Sequence, residues 1–444
     1  MPSDDQRMSA ASRLRRRVGL LFVVAILGTA PELAAQPYVE GEENRFRFAQ
    51  LNLGVESVYR PAPFDTYAGP DAGSLERRPL ADQLTPRLVI GGYHFWGHAD
   101  FYVAFPLPSI GIGGSGEGLE TDLSTGIETG ARVYPWRLRY GAVRPFVGAS
   151  WAVGSYSQTT DAGAGPTPER HHVPLQLGLT WANDFGNLEL GLQWSPLLEF
   201  DYPVAPSATR HLDGPLIWAW LSYKYAFDTT LGGEESVESG DNAELKKAQA
   251  KRGVRSDLAL AAGPSSVFTL RSGDFPAGEV DFLPDRPNGT LLPDVALGYY
   301  VAPADAAVRL NYRTMLQTQS GYGAARRYRR HSLSLDAFKM LFDYHGFVPF
   351  LGAGVSAEWL DFRQTDPSGE VHRARGRTWA GSVVFGWDIR PVETMAMLLR
   401  TNLRYTPALG LDLPSSGRAQ FSQLEFNFIQ VVFYPRRLFV NQSW

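Results

Sequence analysis

Residues 188–195 read Leu188-Glu189-Leu190-Gly191-Leu192-Gln193-Trp194-Ser195. Leu188, Leu190, Leu192 and Trp194 share one face of an extended chain, and Glu189, Gly191, Gln193 and Ser195 share the other, because successive strand side chains point to opposite sides. Upstream, Val173, Leu175, Leu177, Leu179 and Trp181 oppose Pro174, Gln176, Gly178, Thr180 and Ala182. The same period of two recurs where Ile127, Ala131 and Val133 oppose Glu128, Gly130, Arg132 and Tyr134. It returns in 308–313 and 396–405, where Arg309, Arg313, Arg400 and Arg404 sit opposite Val308, Leu310, Tyr312, Met397, Leu399, Leu403 and Tyr405. Helical periodicity is nearly absent.

Extended along the chain, the pattern predicts strands near 46–59, 86–96, 99–106, 123–134, 144–157, 172–183, 187–197 and 215–228. A second set falls near 256–268, 293–302, 306–315, 331–342, 347–361, 378–389, 395–406 and 421–434. Many of these lengths approach the roughly 9–11 residues of a tilted strand crossing a bilayer. Residues 88–95 are largely apolar on both faces, and Lys339 falls on an apolar face near one strand end. Long connections (60–85, 107–122, 158–171, 198–214, then 269–292, 316–330, 362–377, 407–420) alternate with short ones such as 97–98, 184–186, 303–305, 343–346 and 390–394. Long loops on one side and short turns on the other, with an apolar outer face and a polar inner one, are the pattern of an outer-membrane barrel. Tyr59, Trp96, Trp136, Tyr156, Tyr223, Tyr225 and Tyr434, near strand ends, suit the aromatic girdles.

Composition sets the outer limits. The 444 residues contain no cysteine, which excludes disulfide scaffolds and thiolate chemistry. A net charge of -4 gives no basic field for nucleic acid. A mean hydropathy of -0.19 without a long apolar run excludes helical membrane spans. Residues 1–35 read as a cleaved secretory signal: Arg13, Arg15, Arg16 and Arg17 precede the apolar run Val18–Leu27, and Leu33-Ala34-Ala35 offers a cleavage site.

The chain is an internal duplication. Pro145-Phe146-Val147-Gly148-Ala149 opens the fifth strand of the first half and Pro349-Phe350-Leu351-Gly352-Ala353 that of the second, and Pro86 and Gly91 match Pro293 and Gly298. Both halves close on aromatic-rich strands, ending at Phe227 and Tyr434. The division is therefore a first module over 36–228, a charged linker over 229–255 expected on the periplasmic side, and a second module over 256–444. On these residues each half resembles the eight-stranded barrel of the outer-membrane protein A superfamily. The resemblance implies an all-β transmembrane fold in the outer membrane of a Gram-negative-type bacterium. It also implies handling by the barrel-assembly machinery through a terminal aromatic strand. Ten residues follow Tyr434, so Trp444 is a second candidate for the terminal aromatic, and no peptidoglycan-binding domain is recognisable.

Two architectures fit sixteen strands: two small barrels filled by side chains, or one sixteen-stranded barrel with an aqueous channel. Bulky residues on predicted inner faces (Phe146, Tyr134, Trp218, Trp220, Phe338, Met340, Phe350) and the linker favour the filled pair. Predicted lumen charges are Glu128, Arg132, Glu189 and Lys224 in the first half, and Arg309, Arg313, Asp336, Glu358, Asp388, Arg400, Arg404 and Glu425 in the second. They either pair and fill the lumen or, in a large barrel, line a constriction. Arg326, Arg327, Arg329 and Arg330 form a basic cluster expected in an extracellular loop, facing outer-membrane lipids and lipopolysaccharide. His171, His172, His211 and His331, with Ser157, Asp161, Asp201 and Asp213, lie near the outer rim without the spacing of a triad or a metal site. The expectation is a non-enzymatic outer-membrane protein with a structural or surface-binding role and no cofactor. A passive porin is the alternative and a hydrolase a distant third.

Overall fold

A computed structural model describes residues 49–61, 65–68, 75–95, 97–112, 119–136, 141–160, 163–183, 186–195, 200–212, 216–228, 256–272, 280–284, 289–343, 347–389, 396–413 and 417–440. The expected signal, the linker, Trp96, Asp161, Asp213 and Trp444 lie outside the described residues.

In chain order the first half contains β1 (Ala49–Arg60), β2 (Asp65–Ala68), β3 (Glu76–Pro79), β4 (Asp82–His94), β5 (Ala99–Pro106), β6 (Ile110–Ile112), β7 (Glu120–Thr125) and β8 (Glu128–Val133). It continues with β9 (Val143–Thr160), β10 (Gly163–Ala164), β11 (Glu169–His172), β12 (Leu175–Asn183), β13 (Gly186–Ser195), β14 (Phe200–Ala205), β15 (Ala208–Leu212) and β16 (Leu216–Asp228). The second half is plainer: β17 (Asp257–Ser272), β18 (Gly289–Val301), β19 (Ala306–Gly321), β20 (Ala324–Met340), β21 (Phe347–Thr365), β22 (Val371–Ile389), β23 (Met397–Leu413) and β24 (Gly417–Phe433), then a short helix, Pro435–Val440.

Each half closes on itself. β17 to β24 form a barrel in sequence order, with β17 antiparallel to both β18 and β24. In the first half, β1 pairs with β16 on one side and β4 on the other, and the ring runs on through β5, β8, β9, β12 and β13. This overturns the single sixteen-stranded barrel. Either closure would satisfy every strand edge; each eight-stranded ring is in addition filled by its own bulky inner residues, Phe146, Trp218 and Trp220 in the first and Phe338, Met340 and Phe350 in the second.

Polarity is inverted, as alternation requires. Leu177 is 58% exposed and Leu190 57%, whereas Glu128, Glu189 and Asp336 are wholly buried. Lys339, on the outer face, turns its ammonium to the Ala304 carbonyl at 2.5 Å, in the short turn beside it. Two equivalent close approaches mark the duplication. A Cβ at Gly178 would stand 2.5 Å from the Phe146 ring, and one at Gly386 2.6 Å from Phe350, so each Pro-Phe strand lays its phenyl over a glycine of the next strand.

The long connections differ from expectation. Residues 316–330, 362–377 and 407–420 are largely strand, because β19 to β24 continue well past a bilayer's thickness. Above the membrane the outer face need not be apolar, so the apolar signal stops before the hydrogen-bond ladder does. β19 and β20 meet in a two-residue turn in which Tyr322 (φ 46) and Gly323 (φ 81) both take the left-handed conformation of a type I′ hairpin. In the first half the outer connections hold the separate hairpins β2–β3 and β14–β15. The girdle assignment is corrected at two positions. Tyr156 is fully buried and bonded to Thr66 and Gln158, and Tyr434 is buried against the core of the second barrel.

The barrels touch along their outer faces. Val103, Ile127 and Phe428 form one buried cluster, with Phe105, Phe426 and Ile429 against it. The Phe101 and Trp387 rings lie 5.8 Å apart, and Trp151 and Phe268 5.5 Å. Above this seam Tyr322 donates its backbone N–H to the Ala164 carbonyl at 2.8 Å and its hydroxyl to the Pro203 carbonyl at 2.9 Å.

Candidate functional site: the two lumens and the outer rim

All twelve charges expected in the lumens are buried. In the first barrel β8, β13 and β16 bring Arg132, Glu189 and Lys224 together. Arg132 Nη1 lies 2.6 Å from Glu189 Oε2, and Lys224 Nζ lies 3.0 Å from the same oxygen. Lys224 also reaches Asp100 at 2.5 Å, and Arg87 joins Glu128 at 2.6 Å and Glu56. The Arg132 guanidinium stacks 4.2 Å from the centres of both Tyr102 and Trp220. Glu128 further accepts from Tyr102 at 2.8 Å, Gln176 at 2.9 Å and Gln193 at 3.2 Å. Each carboxylate is met by several donors from across the ring, which is the arrangement that makes burial of charge tolerable.

The second barrel uses the same chemistry in pairs. Arg400 grips Asp388 through two bonds of 2.5 and 2.7 Å, and Arg404 grips Asp336 in the same forked way. Arg330 binds Glu358 at 2.7 Å and Glu425 at 2.6 Å, and Arg313 binds Glu425 from the other side. Arg309 has the Gln430 carbonyl oxygen at 2.7 Å in place of a carboxylate. A cavity of about 10 Å³ between Ser265, Met315, Arg330 and Glu425 has room for about one water.

Sequence reading missed several of these groups. Arg87 shares an inner face with Val89, Gly91 and Tyr93, so the apolar run 88–95 hides its phase. Glu56 and Asp100 carry the alternation in β1 and β5, and Asn52, Gly54 and Glu56 at alternate positions of β1, with Asn52 reaching Asp100 across the lumen, are the available signal. Arg326 and Arg330 were expected in a loop. They lie in β20 and point inward, Arg326 holding Gln364 at 3.0 Å and the Pro284 carbonyl at 2.8 Å. Arg327 and Arg329, on the alternate positions, point outward and are exposed.

The rim histidines do not converge on one centre. His171 packs on Phe268 at 4.5 Å, His172 faces Trp218 inside the first barrel, and His331 stacks on Tyr312. His211 meets Asp201 at 2.7 Å on the exposed β14–β15 hairpin. At the β21–β22 turn Asp366, Glu370 and His372 approach one another within 4.8 Å, but Asp366 Oδ1 already accepts from Ser368 Oγ and the Glu370 N–H. Those bonds hold the Asp366 carboxyl below its ordinary range.

Closed antiparallel barrels with aliphatic exteriors and ion-paired interiors define a transmembrane β-barrel protein of the Gram-negative outer membrane. That class stands on the strand pairing and the inverted polarity. No protein-family model matches the chain, and no curated protein matches its sequence. Among solved structures, Neisserial surface protein A is similar at 13% identity and a TM-score of 0.29, over 41% of this chain and 99% of its own. Ail, the attachment invasion locus protein of Yersinia pestis, is similar at 11% identity and a TM-score of 0.26, over 41% and 99%. The COG4313 outer membrane channel from Pseudomonas putida F1 is similar at 10% identity and a TM-score of 0.21, over 89% and 99%.

Proposed function

We propose that this protein is a non-enzymatic, non-conducting pair of outer-membrane barrels whose role is structural and surface-binding, exercised through the hairpins above the membrane. One observation carries the reading: in the first lumen Arg87, Arg132 and Lys224 interlock with Glu56, Asp100, Glu128 and Glu189, and every one of these side chains has zero solvent exposure. A hydrated ion has no path through such a lattice without breaking several buried pairs, each costly to open. An eight-stranded ring is also only wide enough for its own side chains. The forked pairs of the second barrel support the same conclusion for its lumen.

Reconstitution of the full chain in planar bilayers tests this directly. The expected trace is flat, for wild type and for an Arg400→Ala, Arg404→Ala variant alike. Steady unitary conductance from wild type would restore a porin role. The surface role predicts in addition that the β21–β22 hairpin tip at 366–370 is reached by protease or antibody on intact cells; protection of that tip would count against it.

A further inference from the structure

The outward face of β20 to β22 carries a second arginine array, distinct from the lumen. Register places Arg327 beside Arg363 and Arg363 beside Arg373, one row across three strands. The next row toward the membrane is Arg329, Asp361 and Arg375, and the one after it His331, Trp359 and Arg377. Leu333, Ala357 and Trp379 follow, where the apolar belt begins. Arg327, Arg329, Arg363, Arg373, Arg375 and Arg377 are all exposed.

Asp361 is the one carboxylate in these rows, and it is bound to Arg375 at 2.6 Å. Arg327, Arg329, Arg363 and Arg373 make no ion pair among the described residues. Side chains directly opposite on neighbouring strands stand about 5 Å apart, and like charges there are unfavourable. The top row has three such cations in line, so the fold holds them together at a cost that a bound anion would remove. Arg377 lies 5.2 Å from the Trp359 ring centre and 5.6 Å from that of Trp379, which fixes the array to the aromatic girdle. At about 3.4 Å per residue along strands tilted by about 35–45°, the top row stands about 15 Å above the Trp379 row. The array begins at headgroup level and rises through the layer just outside it, continuous with lipid-facing surface.

We propose that this arginine face binds the phosphate groups of outer-leaflet lipopolysaccharide. It rests on the surface-binding role above and names the ligand of that role. The planar, forked guanidinium suits phosphate oxygens, and a row of three matches a lipid that carries more than one phosphate. Continuity with the girdle selects a membrane lipid over a soluble polyanion, because acyl chains lie along Leu333 and Trp379 while the phosphates meet the arginines.

The test uses full chain refolded in detergent free of lipopolysaccharide. It is titrated with lipopolysaccharide, with the same material after dephosphorylation, and with a soluble sulfated polysaccharide. Wild type is expected to prefer the phosphorylated lipid, with affinity falling as salt rises. Arg327→Gln, Arg363→Gln and Arg373→Gln together should weaken binding by about tenfold or more and flatten the salt dependence. Arg210→Gln, on the first barrel's β14–β15 hairpin, should change nothing. The triple variant relieves like-charge contacts and should keep its heat-modifiable mobility; if it fails to fold, Arg363→Gln alone reads the same effect at smaller amplitude. Wild-type affinity in the folded variant, equal binding of the dephosphorylated lipid, or tighter binding of the soluble polyanion would each overturn the proposal. None of these outcomes bears on conductance, so the non-conducting reading stands or falls separately.

Discussion

Arg132 shows how a single side chain is held by the whole ring. It comes from β8, yet its partners Glu56, Asp100 and Glu189 sit on β1, β5 and β13. Arg132→Ala would leave those fully buried carboxylates short of a cation. The expected loss is about 3–5 kcal/mol, read as a lower urea midpoint of the refolded protein. Arg132→Met combined with Glu189→Gln removes both charges and should cost less than Arg132→Ala alone; an equal or greater loss would show that the charges themselves stabilise the barrel. The identity of the lumen charges was legible wherever one face of a strand was clearly apolar, as at Glu189 between Leu188 and Leu190. It was hidden at Arg87, whose inner-face neighbours include Val89. At Arg326 and Arg330 it was hidden because polar residues on both faces read as a loop.

At the scale of the element, the same alternation serves two solvents. β13 spans Gly186–Ser195, about the length needed to cross a bilayer, and presents leucines outward and Glu189 and Gln193 inward. Leu190→Arg, near the middle of that outer face, should destabilise the refolded protein by about 2–4 kcal/mol, whereas Val371→Arg, exposed at the outer end of β22, should cost little. Equal effects at the two positions would mean that the outer face of β13 is not in hydrocarbon. β20 to β22 keep their ladder far beyond the belt, and there the register carries information that composition does not. Arg327, Arg363 and Arg373 are separated by tens of residues in the chain and become one row only because their hairpins fix the pairing.

At the scale of the molecule, the duplication produced two closed units that share a wall. Aromatics at the seam (Phe101, Trp151, Phe268, Trp387) occupy outer-face positions like those that meet lipid elsewhere on the barrels. With Phe428 buried between Val103 and Ile127, and Tyr322 bonded to Ala164 and Pro203 above, the halves should remain together without a covalent join. A protease site placed between 229 and 255 and cut after refolding tests this: the two fragments are expected to co-purify in mild detergent, and their clean separation would show that the seam does not hold. Phe101→Ala with Phe428→Ala should make the cut halves easier to part.

The sequence by itself determined the strand class, the inverted polarity, the duplication and the sign of the charge at most inner positions, because period two is a local property of an extended chain. Closure is not local. Pairing β16 back to β1 or onward to β17 satisfies its backbone equally, so the choice rests on how side chains pack across the closed ring, and only the tertiary structure shows two rings. The same is true of the seam and the arginine row. Both depend on residues distant in the chain being set side by side, by barrel packing in one case and by hairpin register in the other.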